Sequence, residues 1–320
     1  MGTAIAMHLS RAGNDTVLWA SPYDERVLPE LMEARKHPSL PAFLPESMRV
    51  MPGDRLEAAA DGVELAVMGA HSGGARTLAR LVTAASAQLR LVLGVAKGLE
   101  PGTGKRMSEV YAEEVGHRNV ASLGGPCLAP ELAEGLPSAA VVASGSAEGA
   151  EMIASCFRSR EFEVAVTDDI AGLEWCTVAK NVTAMGMGMV DGIAKLGGGE
   201  YRNAKSALFA QAIRELVELV VALGGRADTA YGLAGLGDAL VTSLGGRNRL
   251  FGEMIGEGAD PQRALGDLVA QGMTVEGVES ARDVRRLSAD LGLHLHFHGQ
   301  VQAILFDGAP AVSILECMKG

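Results

Sequence analysis

Seven short apolar runs, at residues 16–19, 48–51, 64–68, 89–95, 120–123, 139–143 and 162–166, are separated by amphipathic stretches such as 75–85 and 105–114. Several runs are apolar at consecutive positions, the pattern of a strand covered on both faces. Such a strand needs helices above and below it, so the alternation predicts a parallel, doubly wound sheet. After about Asp168 the pattern changes. Stretches at 170–185, 204–223, 261–271 and 276–291 predict long helices, and no strand is expected beyond them. The expected architecture is an α/β domain over 1–167 followed by an all-helical domain over 168–320.

The start of the chain refines this. Gly2-Thr3-Ala4-Ile5-Ala6-Met7-His8-Leu9, then Gly13 and Thr16-Val17-Leu18-Trp19, read as the helix and second strand of a nucleotide-binding βαβ unit. Gly2 stands as the last glycine of GxGxxG, where helix and strand pack closely; an ordinary helix–turn–strand is the plainer reading. On the first reading, the Rossmann-like sheet is expected to lack its first strand and two phosphate-loop glycines, and so to bind a dinucleotide poorly. Ala20-Ser21 stand where an acidic residue usually holds the ribose 2′-hydroxyl, which leaves NAD and NADP both open.

Composition removes several function classes. The formal charge is −11 and no basic block appears, so no nucleic-acid partner is expected. An anionic substrate must then be held by a local cluster of positive charge. The run 216–223 is interrupted by Glu218 and too short to span a bilayer, so no membrane insertion is expected. Cys127, Cys156, Cys176 and Cys317 are scattered, which suits reduced thiols and a cytoplasmic location. No metal-ligand spacing is evident; His294, His296 and His298 alternate like strand or loop residues and are read as non-ligands. The first residues lack the long apolar core of a leader peptide.

Three segments carry chemistry. Lys180 stands in an apolar stretch whose helical neighbours Cys176, Thr177, Thr183 and Ala184 include no carboxylate. Burial would lower its pKa and prepare it for proton transfer; the plain alternative is a lysine snorkelling to the helix surface. Asp238 ends the glycine-rich Gly232-Leu233-Ala234-Gly235-Leu236-Gly237-Asp238, either holding such an amine or capping a helix. Gly245-Gly246-Arg247-Asn248-Arg249 offers an arginine on a glycine turn that can grip a phosphate, or a solvated turn. Lys97 ends a strand in Ala96-Lys97-Gly98, and Gly124-Gly125-Pro126-Cys127 follows another, positions where α/β sheets bind ligands and where turns also occur.

Taken in order, residues 2–6, Leu18-Trp19, Phe43-Leu44-Pro45, Ala96-Lys97-Gly98, Gly125-Pro126 with Ala129 and Glu131, Lys180-Asn181-Val182, Asp191-Gly192, the 232–238 segment, Arg247-Asn248-Arg249 and Val275-Glu276-Gly277 make the chain resemble the NAD(P)-dependent glycerol-3-phosphate dehydrogenases across essentially its whole length. The resemblance implies a Rossmann domain and a helical domain, NAD or NADP as cofactor, and interconversion of dihydroxyacetone phosphate and sn-glycerol 3-phosphate. It implies Lys180 as proton donor or acceptor, with Lys97 and Asp238 beside it. Substrate positions are Lys97, Gly125, Cys127, Lys180, Asp238, Gly246, Arg247 and Asn248; cofactor positions are Met1, Gly2, Ser21, Lys97, Ala129, Arg247, Thr274 and Glu276. The expected partner is a small phosphorylated substrate, and a homodimer is left open. Departures are Cys127 for Ser or Thr, Thr177 for a Gly and Gln211 for an Arg. Two other readings stay open: a dehydrogenase of another small 2-hydroxy or 2-keto acid, and a degenerate, non-catalytic metabolite-binding relative.

Overall fold

The computed structural model describes residues 1–86, 89–116 and 119–319. It divides into two compact units, residues 1–96 with 100–170, and residues 97–99 with 171–320.

In the first unit, β1 (Val17–Trp19) pairs in parallel with β2 (Arg49–Met51). β3 (Leu65–Met68), β4 (Leu91–Gly94), β5 (Asn119–Gly124), β6 (Ser138–Ser144) and β7 (Phe162–Thr167) form a five-stranded sheet in that order. Six helices accompany them: α1 (Gly2–Arg11), α2 (Leu56–Ala60), α3 (Ser72–Ala85), α4 (Met107–Val115), α5 (Ala129–Glu134) and α6 (Ala147–Phe157). The period of two explains the layers. On β4, Leu91 and Leu93 pack with Ile5, Met7 and Phe157, whereas Val92 packs with Met68, Val110 and Tyr111. His8 belongs to this core: its Nε2 pairs with the Phe157 carbonyl at 2.6 Å and its ring lies against Phe162.

The sheet is not parallel throughout. β3, β4 and β5 are parallel, but β6 runs antiparallel to β5 and then pairs in parallel with β7.

The second unit is helical among the described residues: α7 (Ile170–Leu196), α8 (Arg202–Ala222), α9 (Ala227–Tyr231), α10 (Asp238–Leu244), α11 (Arg247–Gly256), α12 (Pro261–Ala270), α13 (Glu276–Leu291) and α14 (His296–Phe306). No described helix is long and apolar enough to cross a membrane. α7 and α11 meet backbone to backbone. A Cβ on Gly188 would lie 2.1 Å from the Arg249 carbonyl oxygen, and one on Gly252 would lie 2.0 Å from that of Met185. Gly192 and Gly256 repeat the contact one turn along, so these glycines fix α11 against α7.

His294 lies in the loop before α14, as expected, but His296 and His298 correct the strand-or-loop expectation. His296 and His298 open α14, with His296 exposed and His298 wholly buried, as two positions apart on a helix should be. Glu215 of α8 holds this end. It accepts the N–H groups of Phe297 at 2.8 Å and His298 at 3.0 Å, and His298 Nδ1 at 2.9 Å. Burial alone would raise the Glu215 carboxyl, but these bonds and the His298 ring hold it below its ordinary value. Gln211 joins the cluster, donating to Glu215 at 2.6 Å.

Candidate active site

Residues 172–190 of α7 are buried without a break, so its lysine has no polar face to follow outward. Lys180 is 2 % exposed. Its Nζ donates to Asp238 Oδ1 at 2.5 Å and to Thr242 Oγ1 at 3.1 Å. Asp238 is the first residue of α10, yet its carboxylate does not cap that helix. Lys97 Nζ donates to the other oxygen, Oδ2, at 3.0 Å. Thr242, one turn after Asp238, donates to the Asp238 carbonyl at 2.6 Å. Two ammonium groups therefore share one buried carboxylate, and the cluster carries surplus positive charge when both are protonated.

Its electrostatics follow from burial. Desolvation drives the Lys180 amine down from 10.5 to about 7, against the attraction of Asp238 and with the repulsion of Lys97. Burial alone would raise Asp238, but the charges of Lys180 and Lys97 outweigh it and hold the carboxyl below its ordinary value. The arrangement can hold a proton at Nζ near neutrality and release it without moving either helix.

A second group gathers around α11. Gly246 has φ +97° and leads into Arg247, the first residue of a helix whose N-terminus has no side-chain cap. Arg247 is exposed, and its Nη1 donates to Thr274 Oγ1 at 2.6 Å. Asn248 donates to Asn181 Oδ1 at 3.0 Å and accepts the Gly277 N–H at 3.0 Å. Asn181 in turn donates to Ser280 Oγ at 3.3 Å. Glu276, half-buried, opens α13 beside this bond. Because Asn181 follows Lys180 and Asn248 follows Arg247, one amide pair ties the lysine cluster to the glycine turn. Arg249 fastens the same helix to α7 through Asp191 at 2.7 Å.

The remaining sequence-derived positions lie in the first unit, each beside the carboxyl end of a strand or the start of a helix. Gly2 opens α1, which has no side-chain cap, and crosses the end of β3 so closely that a Cβ on Gly69 would lie 2.9 Å from Gly2 Cα. Met1 precedes it, 41 % exposed. Gly125 follows β5 with φ +111°, and a Cβ there would meet the Ala140 backbone at 3.1 Å, so only glycine fits. Cys127 is buried and Ala129 opens α5. Ser21, buried after β1, donates both N–H and Oγ–H to Asp24 Oδ2 at 2.9 and 2.6 Å. Uncapped helix starts and close glycine contacts at strand ends fit a dinucleotide's phosphates, which need N–H donors and a near approach of backbone.

Sequence reasoning passed over Thr242, Asn181 and Asp24. Thr242 was within reach, because four residues from Asp238 is one helical turn. Asp24 was also signalled by the Ser-x-x-Asp spacing of a turn that bonds to its own start. Asn181 becomes visible only when α11 is brought against α7.

Comparison with known proteins gives the family. The N-terminal model of the NAD-dependent glycerol-3-phosphate dehydrogenases matches residues 1–150 and the C-terminal model matches residues 169–316. Glycerol-3-phosphate dehydrogenase [NAD(P)+] of Moorella thermoacetica is 36% identical over 315 residues, covering 97% of this chain and 90% of the relative. The enzyme of the same name from Pelodictyon phaeoclathratiforme is 36% identical over 325 residues, covering 99% and 94%. The crystal structure of glycerol-3-phosphate dehydrogenase from Coxiella burnetii superposes with a TM-score of 0.86 at 30% identity, covering 98% of this chain and 94% of that one. Both halves, the order of motifs and the fold thus lead to one assignment: the chain belongs to the NAD(P)-dependent glycerol-3-phosphate dehydrogenase family.

Proposed function

We propose that the chain interconverts dihydroxyacetone phosphate and sn-glycerol 3-phosphate with NAD or NADP, and that Lys180 is the group that moves the proton. The observation that carries this is a lysine buried between Asp238 and Thr242 with its amine brought down to about 7. In the reducing direction, protonated Nζ gives its proton to the carbonyl oxygen as negative charge develops there. The amine left behind is neutral, the form burial favours. In the oxidising direction, the neutral amine takes the hydroxyl proton. Asp238 keeps Nζ in place, and Lys97 adds a second positive charge where the oxyanion forms. The substrate phosphate is assigned to Arg247, Asn248 and the backbone N–H groups after Gly246, where remote binding orients the carbonyl. Gly125 and Cys127 are assigned to the same substrate. Met1, Gly2, Ser21, Lys97, Ala129, Arg247, Thr274 and Glu276 are assigned to the dinucleotide, which when bound supplies or accepts the hydride. The test is Lys180→Ala, expected to fold yet lower kcat by roughly two to four decades; turnover near that of the parent would remove Lys180 from the chemistry.

A further inference from the structure

The loop after β1 bears on which dinucleotide the chain takes, an inference that rests on the cofactor reading above. Residues 21–28 form one tight turn. Ser21 N–H and Oγ–H both donate to Asp24 Oδ2, at 2.9 and 2.6 Å, and Asp24 N–H returns to the Ser21 carbonyl at 2.9 Å. Val27 and Leu28 then donate to the Asp24 carbonyl at 2.9 and 3.0 Å. Tyr23 clamps the turn from outside: a Cβ on Gly74 would lie 2.9 Å from its ring, and it meets His71 edge-on at 5.6 Å. The half-buried carboxylate of Asp24 is therefore fixed beside the carboxyl end of β1.

That place is where a Rossmann-type sheet receives the adenosine ribose, and where a carboxylate ordinarily accepts the 2′-hydroxyl. The strand itself ends in Ala20-Ser21 without an acid. We infer that Asp24, folded back from the turn, supplies that carboxylate and makes the chain select NADH over NADPH. A 2′-phosphate would need the two donors that Ser21 already gives to Asp24, and would bring its own negative charge against the carboxylate. His37, whose electrostatics include Asp24, is held below its ordinary value chiefly by burial and so gives little positive charge to a phosphate. The competing cation is Arg26, exposed on the same turn.

The experiment titrates NADH and NADPH into the full-length protein and its Asp24→Asn variant by calorimetry, without substrate, with thermal melts as the folding control. Asparagine keeps an acceptor for Ser21 but drops the charge. The wild-type chain is expected to bind NADH roughly tenfold or more tighter than NADPH, and Asp24→Asn to close most of that gap by strengthening NADPH. Equal wild-type affinities, or tighter NADPH binding that Arg26→Ala abolishes, would overturn the role of Asp24 while leaving the cofactor reading intact. A variant that retains the full wild-type ratio would do the same. Failure of both dinucleotides to bind would overturn both readings. The wild-type ratio needs no variant, so a misfolded Asp24→Asn protein would not rescue the inference.

Discussion

Replacing Lys180 by methionine separates a proton-moving lysine from a structural strut. The fall of its amine from 10.5 to about 7 means that the fold disfavours the charged form by about 5 kcal/mol relative to the unfolded chain. Methionine removes that burden and fills much the same volume in an apolar helix. The attraction of Asp238 is already contained in that value, so its loss is not a separate cost of the substitution. Asp238 keeps Lys97 at 3.0 Å, so its carboxylate is not stranded. Near neutrality the variant is therefore expected to be no less stable than the wild type, and more stable by up to about 5 kcal/mol. The pH dependence is sharper. Between about 7 and 10.5 the unfolded chain holds a proton that the folded chain has released, so this group's contribution to stability rises with pH across that window. Lys180→Met abolishes that contribution. Urea unfolding across the window should therefore show the wild type gaining on the variant by about 1.4 kcal/mol per pH unit. Parallel stability curves, or a uniform loss of about 3–5 kcal/mol as for a broken buried ion pair, would refute the reasoning.

With the dinucleotide saturating, Arg247→Ala is expected to raise KM for dihydroxyacetone phosphate roughly tenfold or more while barely changing turnover of unphosphorylated dihydroxyacetone; equal loss for both in steady-state assays would count against a phosphate role. Gly252→Val should separate α11 from α7, because even a Cβ would lie 2.0 Å from the Met185 carbonyl oxygen; a loss of at least about 2 kcal/mol in urea midpoints is expected, and an unchanged midpoint would mean the helices can part freely. Glu215→Ala strips the start of α14 and leaves His298 buried without its partner; roughly 3–5 kcal/mol should be lost, checked by thermal melts against a surface control such as Glu218→Ala.

How much of this was legible in the sequence depended on the range of the interaction. The strands read clearly because β3 and β4 are continuously apolar, a local signal that two covering layers require. The reversal at β6 was hidden, since an apolar run has the same pattern whichever way its strand runs. The start of α14 was misread because its cap is not local: Glu215 reaches it from α8. Lys180 stood out as a lone amine in an apolar stretch, but its partner lies 58 residues away on another helix, beyond any helical spacing. The carboxylate that Ser21 bonds was not visible in the strand pattern, because the turn after the strand delivers Asp24.

The central claim is that Lys180 carries the transferred proton, and the most direct measurement is the pH dependence of kcat/KM in both directions. Reduction needs the protonated amine, so its rate should fall as pH rises through about 7. Oxidation needs the neutral amine, so its rate should fall as pH drops through the same point. The two limbs should be mirror images, and both should vanish in the residual activity of Lys180→Ala. Limbs that run the same way in both directions, or that persist without the lysine, would assign the proton to another group.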